Sequence, residues 1–503
     1  MDRPSLEREN DTRPAATGIA GLDHVLNGGL PRNRIYLISG ASGAGKTTLA
    51  LQFLLEGARV GETGIYVTLS ETREELTAAA ATHGWSLDAL TVCELPGPDD
   101  RTRPETQYTL FHPSEVELSE TTTLVLHEVE RLRPTRVVFD SLSEMQLLAR
   151  DPLRFRRQIL ALKQFFIGRQ CTVLLLDDGQ EPNHVRVDSL VNGVIALEQL
   201  APSYGAEGRR LRVVKLRGAR YRGGYHDFSI RTGGIVVHPR LVAADHRQSP
   251  TSGPMPSGVM ELDSLLGGGL DAGTSTLITG PAGAGKSLLA ARFAFSALER
   301  GEGAAIFVFD ESRQTFLTRS AGVGMPFTGP LAARLHLQQI DPAELLPGEF
   351  VDLVRHAVNE KAARVVVIDS LNGYLNAMPN ETFLAAQLHE LLMYLNHRGV
   401  ATLLVAAQHG LLGPMQAPVD VSYLADTVLL LRYFEAAGEV RQALSVVKKR
   451  TGDHERTIRE FGVGSHGVRV GAVLREFEGV LTGVPRYTGR EEPLLRREGD
   501  VRG

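Results

Sequence analysis

At 503 residues, with 43% hydrophobic residues, 22% charged residues and a formal net charge of -5, the chain has globular composition, and its length predicts roughly two to four domains. No apolar run is long enough to span a membrane, and the charged N-terminus does not resemble a secretory signal. The two cysteines, Cys93 and Cys171, lie in or beside apolar runs, so we expect buried thiols in a reducing compartment. These features predict a cytoplasmic protein with no membrane partner, and the small negative charge argues against nucleic acid as the main ligand.

An internal repeat organises the chain. The segment TGIAGLDHVLNGGLPRNRIYLISGASGAGKTTLA, from Thr17, aligns without a gap with SGVMELDSLLGGGLDAGTSTLITGPAGAGKSLLA, from Ser257. A stretch rich in Pro, Ser and Gly at residues 245–256 has the composition of a linker. The predicted boundaries are 1–13 for a flexible leader, 14–246 for a first domain, 247–486 for a second domain and 487–503 for a flexible tail.

Short β-branched runs alternate with longer helical stretches along each half. In the first half the runs IYLIS, GIYVTL, RVVFD and CTVLLL are separated by stretches such as TLALQFLLEGARV, whose apolar residues recur at helical spacing. Runs that are apolar on both faces are typical of parallel strands covered by helices. We therefore predict an α/β fold with a mostly parallel sheet in each half, and a polar, Pro-rich insertion at residues 96–119 of the first.

A glycine-rich loop follows the first strand of each half and precedes a helix. The loops are GASGAGKT, Gly40–Thr47, and GPAGAGKS, Gly280–Ser287, and both match the pattern G-x-x-x-x-G-K-[ST]. The backbone N–H groups of such a loop and its lysine bind nucleotide phosphates, which predicts ATP and Mg²⁺ as cofactors. The residues expected to contact nucleotide are Gly40, Ser42, Gly43, Ala44, Gly45, Lys46, Thr47, Thr48, Gly280, Ala282, Gly283, Ala284, Gly285, Lys286, Ser287 and Leu288.

The magnesium ligands are predicted from the same loops and from two strand ends. Thr47 and Ser287 supply the hydroxyl groups that such loops present to Mg²⁺. Asp140 and Asp369 each close an apolar strand, in RVVFD and RVVVID, where a carboxylate supporting Mg²⁺ is expected. An aspartate at a strand end can instead cap a helix, but its occurrence beside the loop in both halves favours the metal.

Segments outside the loops resemble the KaiC family of the RecA-like ATPases. GLDHVLNGGLP and ELDSLLGGGLD precede the loops, KLRGARYRGGYHDFSI closes the first half, and LADTVLLLRYFEAAGEVRQALSVVKKRTGDHERTIREF closes the second. The resemblance extends over roughly residues 17–485. It implies two tandem RecA-like P-loop domains in a homohexamer of two stacked rings, with nucleotide bound between neighbouring subunits.

The resemblance also assigns residues that act across the subunit boundary. In the family a Lys-x-Arg pair on a late strand reaches the γ-phosphate held by the adjacent protomer. The matching residues here are Lys215 with Arg217, and Lys448 with Arg450. Alternation along a strand places both members of each pair on one face.

Catalytic carboxylates are expected after the second strand of each half. The family has paired glutamates there, whereas this chain has Ser70 and Glu71 in the first half and Asp310 and Glu311 in the second. One carboxylate is enough to position a water molecule, so Glu71, Asp310 and Glu311 are candidate catalytic residues. The first site, with half of its acidic pair, is expected to be slow or to bind without turnover.

A serine/threonine autokinase activity is a further implication of the resemblance. In DVSYLADT, Ser422 matches the family's phosphorylated serine, but Tyr423 stands where threonine is expected. Phosphate on Ser422, phosphate on Tyr423 and plain ATP hydrolysis all remain open. The C-terminal tail has no sustained apolar face, so any regulatory protein partner is unknown.

Two other functions compete with this interpretation. The stretch GRRLRVVKLRGARYRGG mixes arginines with a tyrosine, as in RecA-like ATPases that depend on nucleic acid. Two of these cations, Lys215 and Arg217, are already assigned to the nucleotide of the adjacent protomer, so nucleic acid is not expected as a partner. The second alternative is a scaffold that assembles with nucleotide and has negligible turnover.

Overall fold

The computed structural model describes residues 13–94, 123, 126–149, 151–178, 187–201, 205–247, 253–376, 381–408, 422–436, 438–480 and 485–489. The chain forms two compact units, Met1–Arg240 and Leu241–Gly503. Nearly all of the predicted leader and tail, and the whole insertion at 96–119, lie outside the described residues. Within the described part, no helix is both long and apolar enough to cross a membrane.

A nine-stranded sheet forms the centre of the first unit. Its strands are β1 (Ile35–Gly40), β2 (Gly64–Thr68), β3 (Thr91–Glu94), β4 (Arg136–Asp140), β5 (Thr172–Asp177), β6 (Gly193–Leu200), β7 (Gly208–Leu216), β8 (His226–Arg231) and β9 (Gly234–His238). Their order is β3-β2-β4-β5-β1-β6-β7-β8-β9. Pairing is parallel from β3 to β6 and antiparallel from β6 to β9, which confirms the predicted mostly parallel sheet.

Helices cover both faces of this sheet. They are α1 (Ala20–Val25), α2 (Lys46–Arg59), α3 (Arg73–Thr82), α4 (Leu142–Ala149) and α5 (Pro152–Phe166), with further helical residues at 126–132. Along β1, Tyr36 and Ile38 belong to a buried cluster that includes Phe53 of α2. Ile35 and Leu37 belong to a second cluster, which includes side chains of α5. The strand is therefore apolar on both faces because each face is buried under helices.

The second unit repeats the first. Its strands are β10 (Pro254–Met255), β11 (Leu270–Asp271), β12 (Ser275–Gly280), β13 (Gly303–Val308), β14 (Leu335–Gln339), β15 (Ala363–Asp369), β16 (Ala401–Ala407), β17 (Thr427–Ala436), β18 (Glu439–Lys449), β19 (Ile458–Gly464), β20 (Gly467–Val473), β21 (Phe477–Glu478) and β22 (Arg486–Tyr487). The helices are α6 (Met260–Leu265), α7 (Lys286–Glu299), α8 (Arg313–Gly322), α9 (Pro330–Arg334), α10 (Pro347–Asn359), α11 (Leu371–Asn376) and α12 (Glu381–His397), after a 3-10 turn at Ala243–His246. The main sheet has the order β14-β13-β15-β16-β12-β17-β18-β19-β20, the same topology as in the first unit.

The parallel strands place the two loops at equivalent sheet edges. β1 lies between β5 and β6, and β12 lies between β16 and β17, so each glycine-rich loop leaves a central strand. The backbone carbonyl of Asp140 accepts from Leu69 N–H at 2.8 Å, and that of Asp369 accepts from Phe309 N–H at 2.7 Å. The carboxyl ends of parallel strands therefore meet beside each loop, where α/β proteins bind ligands.

Capping fixes the helix that follows each candidate catalytic glutamate. Thr72 Oγ1 accepts from Glu75 N–H at 3.2 Å, and the Glu75 carboxylate accepts from Thr72 N–H at 2.8 Å. In the second unit, Ser312 Oγ accepts from Thr315 N–H at 3.0 Å. These bonds satisfy free N–H groups in the first turn and define where α3 and α8 begin.

The first unit contains a buried ion pair whose arginine is replaced by an apolar residue at the equivalent position of the second. Arg136, at the start of β4, is 1% exposed, and its Nε donates to Glu62 at 2.5 Å. Its Nη1 donates to the carbonyls of Ala16 at 2.7 Å and Phe53 at 2.6 Å. The equivalent residue of the second unit, four positions before Asp369, is the buried Val365. Arg136 thus connects the sheet to α2 and to the segment before α1.

Trp85, the only tryptophan of the chain, follows α3 in the first unit. It is partly buried against the same apolar cluster as Phe53. Its ring lies 4.8 Å from that of His83, whose Nδ1 is 2.9 Å from the carbonyl oxygen of Arg231. The indole is therefore part of the packing between α3 and the antiparallel edge of the sheet.

Candidate nucleotide sites

The backbone of the first loop requires its glycines. A Cβ atom at Gly40 would lie 2.7 Å from the carbonyl oxygen of Leu197, and Gly45 has a φ of 98°, which favours glycine. Helix α2 begins at Lys46 and continues for 14 residues. The loop therefore ends at a helix N-terminus, where free N–H groups and the positive end of the helix dipole favour an anion.

The second loop has the same construction. A Cβ atom at Gly280 would lie 2.5 Å from the carbonyl oxygen of Leu431, and Gly285 has a φ of 89°. Tyr433, on β17, donates its hydroxyl hydrogen to the carbonyl of Ala282 at 3.1 Å and so supports the loop from the side. Both predicted loops thus have the form of a phosphate-binding loop between a strand and a helix.

The two loop lysines have different partners. Lys46 Nζ donates to the carbonyls of Gly40 at 2.8 Å and Ala41 at 3.0 Å, and to Asp178 Oδ1 at 2.6 Å. Lys286 Nζ donates to the carbonyl of Pro281 at 2.7 Å. Burial lowers the pKa of Lys286, and the nearby charge of Asp369 opposes this shift.

Each predicted magnesium carboxylate lies beside the hydroxyl of its loop. Asp140 Oδ2 is 3.4 Å from Thr47 Oγ1 and also accepts a hydrogen bond from the buried hydroxyl of Tyr66. Burial raises the pKa of Asp140, and the bond from Tyr66 opposes the shift. Burial likewise raises the pKa of Asp369, which is hydrogen-bonded to Ser287. A hydroxyl beside a carboxylate offers the oxygen ligands that Mg²⁺ prefers, so these residues fit the ion.

The candidate catalytic carboxylates differ between the units. Glu71 follows β2, where its N–H donates to Thr68 Oγ1 at 2.9 Å. Burial raises the pKa of Glu71, and the negative charge of Asp140 adds to the shift. The second-unit counterpart is Glu311, whose Oε1 accepts from Arg319 Nη2 at 2.6 Å.

Arg319 limits the effect of burial on Glu311. Burial raises the pKa of Glu311, and the charge of Arg319 opposes that shift. The neighbouring Asp310 accepts a hydrogen bond from Ser370 Oγ at 2.5 Å. The two predicted carboxylates of the second unit are therefore held by different partners, one cationic and one a hydroxyl.

The lysines of the predicted cross-subunit pairs bond to their own chain. Lys215 Nζ donates to the carbonyls of Asp188 at 2.5 Å and Val191 at 2.8 Å. Lys448 Nζ donates to the carbonyls of Ser422 at 2.9 Å and Ala425 at 2.7 Å. Burial lowers the pKa of Lys215, and Arg217 adds to the shift. The two lysines thus have matching environments in the two units.

The arginines of these pairs lie just beyond their strands. β7 ends at Leu216 and β18 at Lys449, so strand alternation does not extend to Arg217 and Arg450. Both arginines are exposed. Arg450 nevertheless has partners, because its Nη1 lies 3.3 Å from Asp426 Oδ1 and its Nη2 donates to the carbonyl of Tyr423 at 3.0 Å.

The predicted phosphoacceptors lie in the turn before β17. Ser422 is partly buried, and Tyr423 is 57% exposed. The backbone carbonyls of both residues accept hydrogen bonds from the Lys448 and Arg450 side chains. The turn is thus joined to the predicted cross-subunit pair.

Four neighbours of the candidate sites were missed in the sequence: Tyr66, Asp178, Arg319 and Ser370. Tyr66 and Asp178 contact residues 74 and 132 positions away, so only the register of the sheet reveals them. Arg319 lies eight positions after Glu311 on the next helix, and that short spacing is a signal that could have been used. Ser370 directly follows the predicted magnesium ligand Asp369, and this adjacency in the sequence is a signal that it lies at the site.

Two RecA-like α/β units, each with a phosphate-binding loop and a buried aspartate beside it, define a tandem P-loop ATPase. The family model described as the KaiC ATPase matches residues 15–242 and again residues 255–474. The chain therefore belongs to the KaiC family of ATPases. The circadian clock protein KaiC3 of Synechocystis sp. is 28% identical over 508 residues, covering 97% of each chain. The circadian clock oscillator protein KaiC of Synechococcus elongatus is 29% identical over 492 residues, covering 96% of this chain and 93% of its own.

Proposed function

We propose that both P-loops of this KaiC-family ATPase bind Mg-ATP and hydrolyse it. The proposal is supported by one constellation that occurs in both units: a loop lysine, a hydroxyl at the helix start, a buried aspartate and a half-buried glutamate. Phosphoryl transfer depends mainly on positioning and charge stabilisation, which such a set supplies. Each chain then has two sites that catalyse the same reaction, the hydrolysis of ATP.

In the first site the loop N–H groups and Lys46 bind the β- and γ-phosphates. Thr47 and Asp140 would hold Mg²⁺, which when bound neutralises charge that develops on the phosphate oxygens. Glu71 orients the attacking water molecule and accepts its proton. Glu71 follows β2, which pairs with β4, the strand that ends at Asp140, and this position supports the role.

In the second site Lys286, Ser287 and Asp369 have the corresponding roles, and Glu311 is the general base. Asp310 contributes a second carboxylate at the same strand end, as the KaiC resemblance suggests. The matching capped helices after both glutamates support the equivalence of the two bases.

The site is completed by a neighbouring copy of the chain. Arg217 and Arg450, with Lys215 and Lys448, supply positive charge to the γ-phosphate of the adjacent protomer in a homohexameric ring. A cation supplied in this way stabilises the transition state and makes turnover depend on assembly. The exposure of both arginines at strand ends supports a role outside their own unit. Ser422 or Tyr423 is then the acceptor in any autophosphorylation, because both border Lys448 and Arg450.

Nucleic-acid binding is disfavoured by the partners of the basic stretch. Arg210 donates to Glu198 at 2.8 Å and stacks over Tyr225 with its guanidinium carbon 4.0 Å from the ring centre. Arg212 lies 3.9 Å from Glu198, and Arg209 lies 3.4 Å from Glu207. These three arginines are paired with acidic side chains of their own unit, so part of the positive charge of the stretch is already offset.

Single-site variants test the proposal. Lys46→Ala and Lys286→Ala should each remove one of two bound nucleotides and the hydrolysis at that site, measured by titration with fluorescent ATP and by phosphate release. The double variant is the control and should bind none. Two nucleotides bound by both single variants would refute the assignment, and binding without phosphate release would favour the scaffold function. Mass spectrometry of the wild-type incubation locates any phosphate on Ser422 or Tyr423.

A further inference from the structure

The lysine of the first loop forms an ion pair with Asp178. The Lys46 side chain is 9% exposed and Asp178 is 50% exposed, with 2.6 Å between Nζ and Oδ1. Together with the carbonyls of Gly40 and Ala41, Asp178 gives an acceptor to each of the three ammonium hydrogens. Any phosphate oxygen that Lys46 binds must therefore replace one of these acceptors or share its hydrogen.

Asp178 is placed beside the loop by the end of β5. Its N–H donates to Ser143 Oγ at 3.3 Å, and Ser143 Oγ donates to Asp177 Oδ1 at 3.2 Å. Its side chain borders a cavity of about 280 Å³ that Gly40 and Glu198 also line. The carboxylate is thus held at the loop and remains open to solvent on one side.

The second unit has no carboxylate at this position. Ser39 of β1 pairs with Asp177, and the equivalent Thr279 of β12 pairs with Ala406, so Asp178 corresponds to Ala407. The backbone N–H at this position has a side-chain acceptor in both units. Asp178 N–H donates to Ser143 Oγ, and Ala407 N–H donates to Asn372 Oδ1 at 2.9 Å. The duplication therefore provides a natural comparison, because the second loop lysine has no acidic side chain at the position of Asp178.

We propose that Asp178 competes with nucleotide phosphate for Lys46, so that the first site binds ATP more weakly than it would without this carboxylate. The inference rests on the proposed function of both loops. A carboxylate that bonds the loop ammonium lies close to any phosphate bound by the same ammonium, and two anions at this distance repel each other. The partial exposure of Asp178 lets its side chain turn to solvent when nucleotide enters, so the competition weakens binding without preventing it.

Paired substitutions at the equivalent positions test the competition. In a Lys286→Ala background, which leaves only the first site, Asp178→Asn should tighten binding of fluorescent ATP about tenfold, a change of about 1.4 kcal/mol. In a Lys46→Ala background, Ala407→Asp should weaken the second site by a similar factor. Circular dichroism of each variant before titration shows that it is folded.

Glu198→Gln is the matched control, because Glu198 lines the same cavity but bonds to Arg210 at 2.8 Å and to the Tyr225 hydroxyl at 3.2 Å. It should leave the affinity unchanged. Unchanged or weaker binding in Asp178→Asn would overturn the competition, as would equal tightening by Glu198→Gln. Absence of all binding in the Lys286→Ala chain would instead overturn the first-site assignment itself, and the competition with it.

Discussion

Three of the differences between the two candidate sites lie at the aspartate, the lysine and the glutamate. In the first site Tyr66 is hydrogen-bonded to the magnesium aspartate, and Asp178 is paired with the loop lysine. In the second site Ile306 and Ala407 occupy the positions of Tyr66 and Asp178. In the second site Arg319 donates a hydrogen bond to the candidate base, Glu311. The residue equivalent to Arg319 in the first unit is Ala79. Substitutions around two loops of the same pattern have therefore altered the charge near the lysine and near the candidate base.

Removing Arg319 should shift the pH dependence of the second site. The charge of Arg319 lowers the pKa of Glu311 against the effect of burial, so Arg319→Ala raises that pKa. A general base must be ionised, so the acid-side fall in the hydrolysis rate moves to higher pH. The measurement is the pH–rate profile in a Lys46→Ala background.

Two comparisons make this result specific. Arg319→Lys keeps the positive charge and should restore most of the profile. Arg319→Ala in a Lys286→Ala background should leave the first-site profile unchanged, since Ala79 occupies the equivalent position there. A second-site profile that does not move in Arg319→Ala would mean that Glu311 is not the titrating base.

The sequence predicts the loops and both strand-end aspartates because their residues are adjacent in the chain or repeat in register. It does not predict Tyr66 or Asp178 as neighbours of the sites. Each contacts its partner only after parallel strands have aligned, and no local pattern encodes that register. The roles of Glu71, Asp310 and Glu311 remain predictions based on the resemblance.

At the scale of elements, the strands were predictable because they are apolar on both faces. Ile35 and Tyr36 enter opposite clusters, as the continuous apolar run IYLIS indicates. The ends of β7 and β18 were less predictable, since a basic run has no marker of where pairing stops. β7 and β18 end where their partners β6 and β17 begin, because Gly193 pairs with Leu216 and Thr427 pairs with Lys449.

The stability of the first unit should depend on the ion pair of β4. Arg136→Met leaves Glu62 in a poorly hydrated position with only Arg32, 2.5 Å away, as a partner. We expect a loss of about 3 kcal/mol in the free energy of unfolding of this unit. Urea denaturation followed by circular dichroism measures the change.

A surface pair on the same unit provides the control. Arg59 is 71% exposed and pairs with Glu56 at 2.7 Å, so Arg59→Ala should change the free energy of unfolding far less than Arg136→Met does. Equal effects of the two substitutions would show that burial of Arg136 adds nothing to its pairing.

At the scale of the whole molecule, the duplication made two domains predictable from one alignment. Each half folds around its own sheet, because equivalent residues of each repeat supply a complete set of strands and covering helices. The assembly of several chains could not be derived in this way, since the surfaces that meet have no periodic pattern. The predicted hexamer rests on the KaiC resemblance alone.

Mixing two inactive chains tests whether the arginine acts between subunits. In a Lys46→Ala background, Arg450→Ala should still bind nucleotide at the second site but hydrolyse it at least about tenfold more slowly. Lys286→Ala in the same background binds none but keeps Arg450. Mixed rings should regain phosphate release, because the intact arginine of one chain reaches nucleotide on the other.

The control for this mixture is Arg441→Ala, a partly exposed arginine of β18 that pairs with Glu439 at 3.0 Å. It should keep normal turnover without mixing. Mixtures no more active than their separate components would place Arg450 in its own chain's site.

The solitary indole of Trp85 gives this duplicated protein a built-in optical label. Since the second unit has no tryptophan, emission excited selectively from indole reports on the first unit alone. In a calorimetric scan with two melting steps, the step that coincides with the change in emission is assigned to the N-terminal half. The two repeats can thus be followed separately in an unmodified chain, although their main sheets share one strand order.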